Sequence, residues 1–179
     1  MLFTQAPFLE ELRKALIIIV GALLVAFLAF YSFAEKLFLW VAEPMQRALP
    51  PGSSLVFISA VEPFFTHLKA AAMAGLFICL PLVLWQFWRL LAWYLQLRRP
   101  LTGFLFVLAS SLFFYSGAYL GFVYVLPTIF KVLINFGTEG GEMEAKLAMG
   151  AYFSLAVKMV LAFGLVGELP VIILLLARL

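Results

Sequence analysis

Aspartate is missing from this chain of 179 residues, and its nine acidic side chains are all glutamates. Chemistry built on an aspartyl group is therefore excluded. Cysteine occurs once, at Cys79, so no internal disulfide forms, and a lone thiol among apolar neighbours reads as packing. Histidine also occurs once, at His67, and without His, Cys or Asp partners a metal site is not expected. Charged residues make up only 12% of the chain, against about 25% in a soluble domain. No basic tract is long enough to suggest nucleic acid as a partner. A Gly-rich phosphate loop, an H-E-x-x-H pair and a Ser/His/Asp set are absent too, so an enzyme would have to borrow its chemistry.

What fills the chain is hydrocarbon. Hydrophobic residues reach 66%, and the mean hydropathy is +1.13. This composition describes an integral membrane protein with no room for a soluble domain. Glu10 and Glu11 interrupt what should be the basic start of a cleavable signal. The apolar stretch that follows is long enough to cross a bilayer, which takes about 20 residues. The pattern predicts an all-α, polytopic membrane protein in a single membrane domain. Its four tilted spans lie at about 15–34, 66–95, 101–126 and 149–178. Pro81 is expected to kink the second span, and Pro127 to stop the third.

Arg13 and Lys14 precede the first span, Arg89, Arg98 and Arg99 lie around the turn between the second and third, and Arg178 ends the fourth. The positive-inside rule then puts the N-terminus, that turn and the C-terminus in the cytoplasm. The outer connections hold Glu35, Glu43, Glu62, Glu139, Glu142 and Glu144 beside a few lysines. In the first, EKLFLWVAEPMQRAL reads as a short amphipathic helix at the interface, anchored by Trp40. PPGSS is a turn, and SLVFIS can be extended. In the second, TIFKVLINF reads as another interfacial helix before a polar TEGGEME loop.

Glu168 is the most informative residue. It lies in AFGLVGELPVIILLL, a run with no other charge. A charge at bilayer depth costs about 2.5–3.5 kcal/mol on insertion scales and is seldom kept without a use. Gly164 and Gly167 open a notch beside it, and Pro170 frees the carbonyl of Val166. Two readings stand: a polar site facing substrate or partner, or a buried acid that hydrogen-bonds a neighbouring helix. Lys158, ten residues earlier, is about 280° around and ~15 Å away along a helix, so it cannot pair with Glu168 and should snorkel outward.

Glu10 and Glu11 open the first helix, where the dipole favours negative charge. A cationic peptide at the membrane surface would meet them there, since an arginine pairs bidentately with a carboxylate. The plain alternative is a solvated helix start with Glu10 pairing Lys14 at i,i+4. Glu62-Pro63 is either a cap and turn or an outer-face contact, and Glu43-Pro44 shares that ambiguity. Gly117 and Gly121 form a G-x-x-x-G packing notch.

Taken together these blocks resemble a known family. FLEELRKALI is similar to the H-L-x-E-L-R-x-R-L opening of TatC, the multispan receptor of the twin-arginine protein translocase. EPM at 43–45, SAVEPFF at 59–65, LPLVLWQFWR at 80–89, YVLP at 124–127 and AFGLVGELPVIILL at 162–175 follow in the family's order. The resemblance implies export of folded proteins driven by the proton-motive force, with no cofactor, metal or nucleotide. The implied location is a prokaryotic inner membrane. Implied partners are twin-arginine signal peptides, TatA- and TatB-type single-span subunits, membrane lipid and further copies of the chain. It places signal-peptide binding on Glu11 with Glu10, the intramembrane polar site on Glu168, and an outer-loop contact on Glu62 and Pro63.

Three departures accompany it. Phe8 stands where the family has His. The turn AWYLQLRRPL carries no acid where the family has a second recognition glutamate, the place being held by Leu97, Arg98 or Arg99. The family has six spans, and the last two are expected to be missing here. Alternatives are a scaffold without signal recognition, favoured by the acid-free turn, and an ion or proton pathway through Glu168. Such a pathway needs a polar chain across the bilayer, and the first three spans supply almost none. A membrane enzyme is the remaining rival.

Overall fold

In the computed structural model, residues 5–48, 54–56, 58–94, 100–138 and 146–177 are described. Six helices and two short strands occur in the order α1 (Gln5–Tyr31), α2 (Ala34–Ala48), β1 (Ser54–Val56), α3 (Glu62–Tyr94), α4 (Pro100–Leu120), α5 (Leu126–Thr138), β2 (Lys146–Ala148) and α6 (Met149–Ala177). Among the described residues, four stretches are long and apolar enough to cross a membrane: Phe8–Tyr31, Glu62–Tyr94, Leu101–Leu133 and Met149–Ala177. Large apolar side chains such as Val25, Leu28, Leu112, Leu165 and Ile173 stand more than 60% exposed along them. An outward surface of that kind suits lipid, not water.

Hydrocarbon offers no hydrogen-bond partner, so a proline inside a span needs compensation from the protein. Pro81 sits within α3, which runs through it undivided. Its missing N–H leaves the Phe77 carbonyl, four residues back, without its helical donor. The Tyr115 hydroxyl, from α4, donates to that carbonyl at 2.6 Å. The third span does not stop at Pro127. Between α4 and α5 the chain forms a π-helical turn, Gly121–Val125. There the Leu126 N–H donates to the Gly121 carbonyl, five residues back. Widening the turn moves the proline ring off the carbonyl it would strike in an α-helix, so the helix continues as α5.

α1 packs along α3, and α4 along α6. The α4–α6 contact is close because both backbones are bare where they cross. A methyl group added at Gly117 would meet the Phe163 carbonyl oxygen, and one at Gly167 would meet that of Phe113. At one end of the bundle, α2 and α5 pack onto α3 and α6. Phe38, Val41 and Ala42 of α2, Leu126 and Phe130 of α5, and Tyr152, Phe153 and Ala156 of α6 form the main buried cluster with Ala70. The Tyr152 hydroxyl donates to the Val41 carbonyl at 2.8 Å, and Trp40 stacks on Phe122 with ring centroids 5.3 Å apart. The interfacial helices are thus fastened to the protein by the apolar faces their periodicity created. SLVFIS supplies β1, which pairs in parallel with β2 (Ser54↔Lys146 through Val56↔Ala148) and joins the α2–α3 and α5–α6 connections. The TEGGEME loop from Glu139 onward and the turn at 95–99 lie outside the described residues.

Two outcomes follow. Gly117→Val forces α4 off α6 and is expected to cost about 1–3 kcal/mol as an overpacking change, read as a lowered melting temperature in detergent. Tyr115→Phe leaves the Phe77 carbonyl unpaired and is expected to cost about 0.5–1.5 kcal/mol. Pro81→Ala restores the N–H and should cancel most of that loss in the same measurement.

Candidate functional site

Glu11 lies two turns into α1, at the end of the bundle where α3 finishes. Because α1 and α3 are antiparallel neighbours, the start of one meets the finish of the other. Phe8 packs on Trp93 there, with ring centroids 5.7 Å apart. Beside that pair, Lys14 Nζ donates to Glu11 Oε1 at 3.2 Å, and Arg89 Nη2, from α3, donates to Glu11 Oε2 at 3.2 Å. The ion pair with Lys14 therefore forms at i,i+3 with Glu11, one residue on from the expected Glu10. Glu10 is exposed next to it. The Glu11 side chain remains 31% exposed and that of Arg89 41%. Two buried polar atoms nearby on α3 have no partner among the described residues: Arg89 Nε and Gln86 Oε1.

Glu168 is half-buried on α6, and its Oε1 is buried with no hydrogen-bond partner among the described residues. The flanking glycines do not form an open notch. Gly167 is pressed against the α4 backbone, and Gly164 lies under the Phe114 ring. The small residues there are spent on helix packing, and the acid stands at the edge of that contact. α6 continues through Pro170 to Ala177. Across the interface, Ser111 Oγ of α4 is likewise buried without a partner. Lys158 is exposed on α6.

Glu62 opens α3, and Pro63 follows in the first turn, where a missing N–H is harmless. The Glu62 carboxylate accepts from the backbone N–H groups of Ile58 at 2.8 Å and Ser59 at 3.4 Å. It also accepts from the N–H of Gly150, at the start of α6. One carboxylate thus ties the entry of α3 to the entry of α6. Lys69 Nζ donates to Ser154 Oγ at 2.8 Å across a cavity of about 420 Å³ also lined by Phe65, Thr66 and Ala151. A second, almost wholly apolar cavity of about 340 Å³ lies under α2 between Phe30, Met73, Phe77, Tyr119 and Phe122. His67 meets the edge of Phe38, and no group of three potential metal ligands occurs among the described residues.

Glu11, Glu168 and Glu62 are not brought together. Glu11 and Glu62 mark opposite ends of the bundle, and Glu168 lies between them on another helix. Sequence reasoning missed Arg89 as a partner of Glu11, having treated it only as an orientation charge. The antiparallel order of α1 and α3 was the available signal.

Comparison with known proteins covers nearly the whole chain. The family model described as Sec-independent protein translocase protein (TatC) matches residues 7–179. The Sec-independent protein translocase protein TatC of Magnetococcus marinus is 37% identical over 172 residues, covering 93% of this chain and 62% of the relative. The protein of the same description from Escherichia coli K12 is 35% identical over 170 residues, covering 94% and 64%. This chain thus spans less than two thirds of the length of those relatives. Two crystal structures of the twin arginine translocase receptor TatC are similar in fold. One has a TM-score of 0.83 at 32% identity, over 92% of this chain and 72% of that one. The other, in DDM, has 0.86 at 31%, over 96% and 76%. The chain belongs to the TatC family of Sec-independent protein translocase proteins.

Proposed function

We propose that the chain is a receptor component of a twin-arginine translocase, binding Arg-Arg signal peptides through Glu11 and helping to export folded proteins. The observation that carries this reading is the state of Glu11 itself. It is a partly exposed carboxylate at the end of the bundle, already holding one guanidinium from within the chain. What accepts Arg89 has the chemistry to accept an arginine from a peptide. Glu10, exposed on the same helix start, adds attraction for the second arginine of the pair. In this reading the Glu11 end faces the cytoplasm, in keeping with Arg13, Lys14 and Arg89 clustering there, and the membrane is the plasma membrane of a prokaryote.

Glu168 would serve the same cycle from within the bilayer. Its unpaired oxygen at the edge of the α4–α6 contact suits a polar side chain brought by the single helix of a TatA- or TatB-type subunit. Glu62 and Pro63 contribute by fixing the shape of the outer face, since the carboxylate's acceptors are occupied by backbone donors. A scaffold without signal recognition is the second reading, favoured by the cations on Glu11 and by the acid-free turn. It predicts assembly with partners but no capture of a precursor.

The deciding experiment places a photo-reactive side chain at position 11 of the membrane-embedded protein and supplies a twin-arginine precursor. Capture of the precursor is expected, and capture of other membrane proteins alone would refute the proposal. Glu11→Gln should lower affinity for the signal peptide about tenfold or more, as loss of a charged hydrogen bond does. Glu168→Ala is expected to reduce export or co-purification of a single-span partner while membrane insertion, followed by protease protection, stays intact. Unchanged export and unchanged assembly would reject that role.

A further inference from the structure

We propose that Arg89 is a built-in competitor for the site on Glu11, occupying the place of a peptide arginine and swinging away when the peptide arrives. The inference rests on the reading of Glu11 given above and adds a residue that governs how readily that site opens. Each Glu11 oxygen holds one cation, Lys14 on Oε1 and Arg89 on Oε2. A carboxylate presents about four lone-pair sites, but two cations already neutralise its single charge. A third arrives favourably only if one of them leaves.

Lys14 is a neighbour on the same helix, and its ammonium can swing into water. Arg89 reaches over from α3 and has the same chemistry as the incoming group. Its hold is partial: a guanidinium offers five donors in a planar fork, and here Nη2 makes the contact while Nε is buried without an acceptor. A bidentate pair would have been the stable resting arrangement. Its absence leaves Arg89 displaceable.

The helix also supplies somewhere for the displaced group to go. Gln86 is one turn back on α3, three residues from Arg89, and side chains so spaced are neighbours on a helix surface. It is 5% exposed, and its Oε1 is buried with no partner among the described residues. Turning the guanidinium back along α3 gives Gln86 Oε1 a donor as Glu11 is released. An acceptor without a donor and a donor without an acceptor then satisfy each other, which offsets the lost ion pair. Emptying Glu11 is therefore far less costly than stranding a charge.

The test measures binding of a fluorescent peptide, two arginines followed by an apolar stretch, to the protein in lipid nanodiscs. Partly exposed ion pairs are weak, so Arg89→Gln should tighten binding by about two- to fivefold. Arg89→Lys, which keeps the charge and loses the fork, should fall between, and remains informative should the Gln variant fold poorly. Gln86→Leu removes the resting place, so it should weaken binding in the parent protein and have no effect once Arg89 is Gln. A merely structural role for Gln86 would weaken both equally. If Glu11→Gln weakens binding as expected and neither Arg89 variant tightens it, the competitor is refuted and the peptide site stands. If Glu11→Gln leaves binding unchanged, or no variant binds the peptide, both proposals fall.

Discussion

The constraint on which the structure depends is the absence of hydrogen-bond partners in hydrocarbon. Each polar backbone group inside a span must be answered from within the protein. Pro81, Pro127 and Pro170 all interrupt this pairing within spans, and the chain answers the first two differently. Pro81 strands a carbonyl, and a tyrosine on the adjacent helix covers it. Pro127 would collide with its preceding turn, and the helix widens to a π turn to let it pass. The second answer has a geometric consequence. By carrying the helix on past Pro127, it brings Phe130 into the cluster with Leu126 that fastens α2 and α6 at the end of the bundle opposite Glu11.

Against this rule, four side-chain polar atoms left without partners stand out. Gln86 Oε1, Arg89 Nε, Ser111 Oγ and Glu168 Oε1 are buried and unpaired among the described residues. They fall in two places: the Glu11 end of α3, and the contact of α4 with α6. These are the regions to which the proposed function assigns peptide and partner binding. Unsatisfied polar groups cost stability, and they are tolerated most readily where a visiting group completes them.

Much of this was legible in the sequence because membrane physics writes itself in composition. The four hydrophobic stretches, the two amphipathic helices from EKLFLWVAEPMQRAL and TIFKVLINF, and the Glu62-Pro63 helix start correspond to elements of the fold. The resemblance to TatC rested on short blocks whose order could be checked along the chain. The differences share a cause: at each of these residues the surroundings, not its own propensity, decide the outcome. Local propensity makes Pro127 a stop, because the widening of the preceding turn leaves no mark in it. Gly164 and Gly167 suggest an opening near Glu168 when α6 is taken alone, because the Phe113 carbonyl and the Phe114 ring that fill it belong to another helix. Arg89 passes for a mere orientation charge because the carboxylate it meets is on another helix as well.

Glu11 and Glu62 show how one residue type yields opposite behaviour at the two ends of one bundle. Glu62 is the first residue of its helix and Glu11 lies two turns into its own, and both have their oxygens occupied. Around Glu62 the donors are backbone N–H groups of Ile58, Ser59 and Gly150. A backbone donor cannot turn away without disturbing the start of α3 or α6, so that acid is a fixed clamp. Around Glu11 the donors are the ends of Lys14 and Arg89. Long side chains leave by rotating a few bonds, and neither helix moves when they do. Exchangeability thus follows from who donates, not from the acid. It makes Glu11 the end suited to taking up and releasing a cationic ligand, and Glu62 the end suited to holding the frame still while that happens.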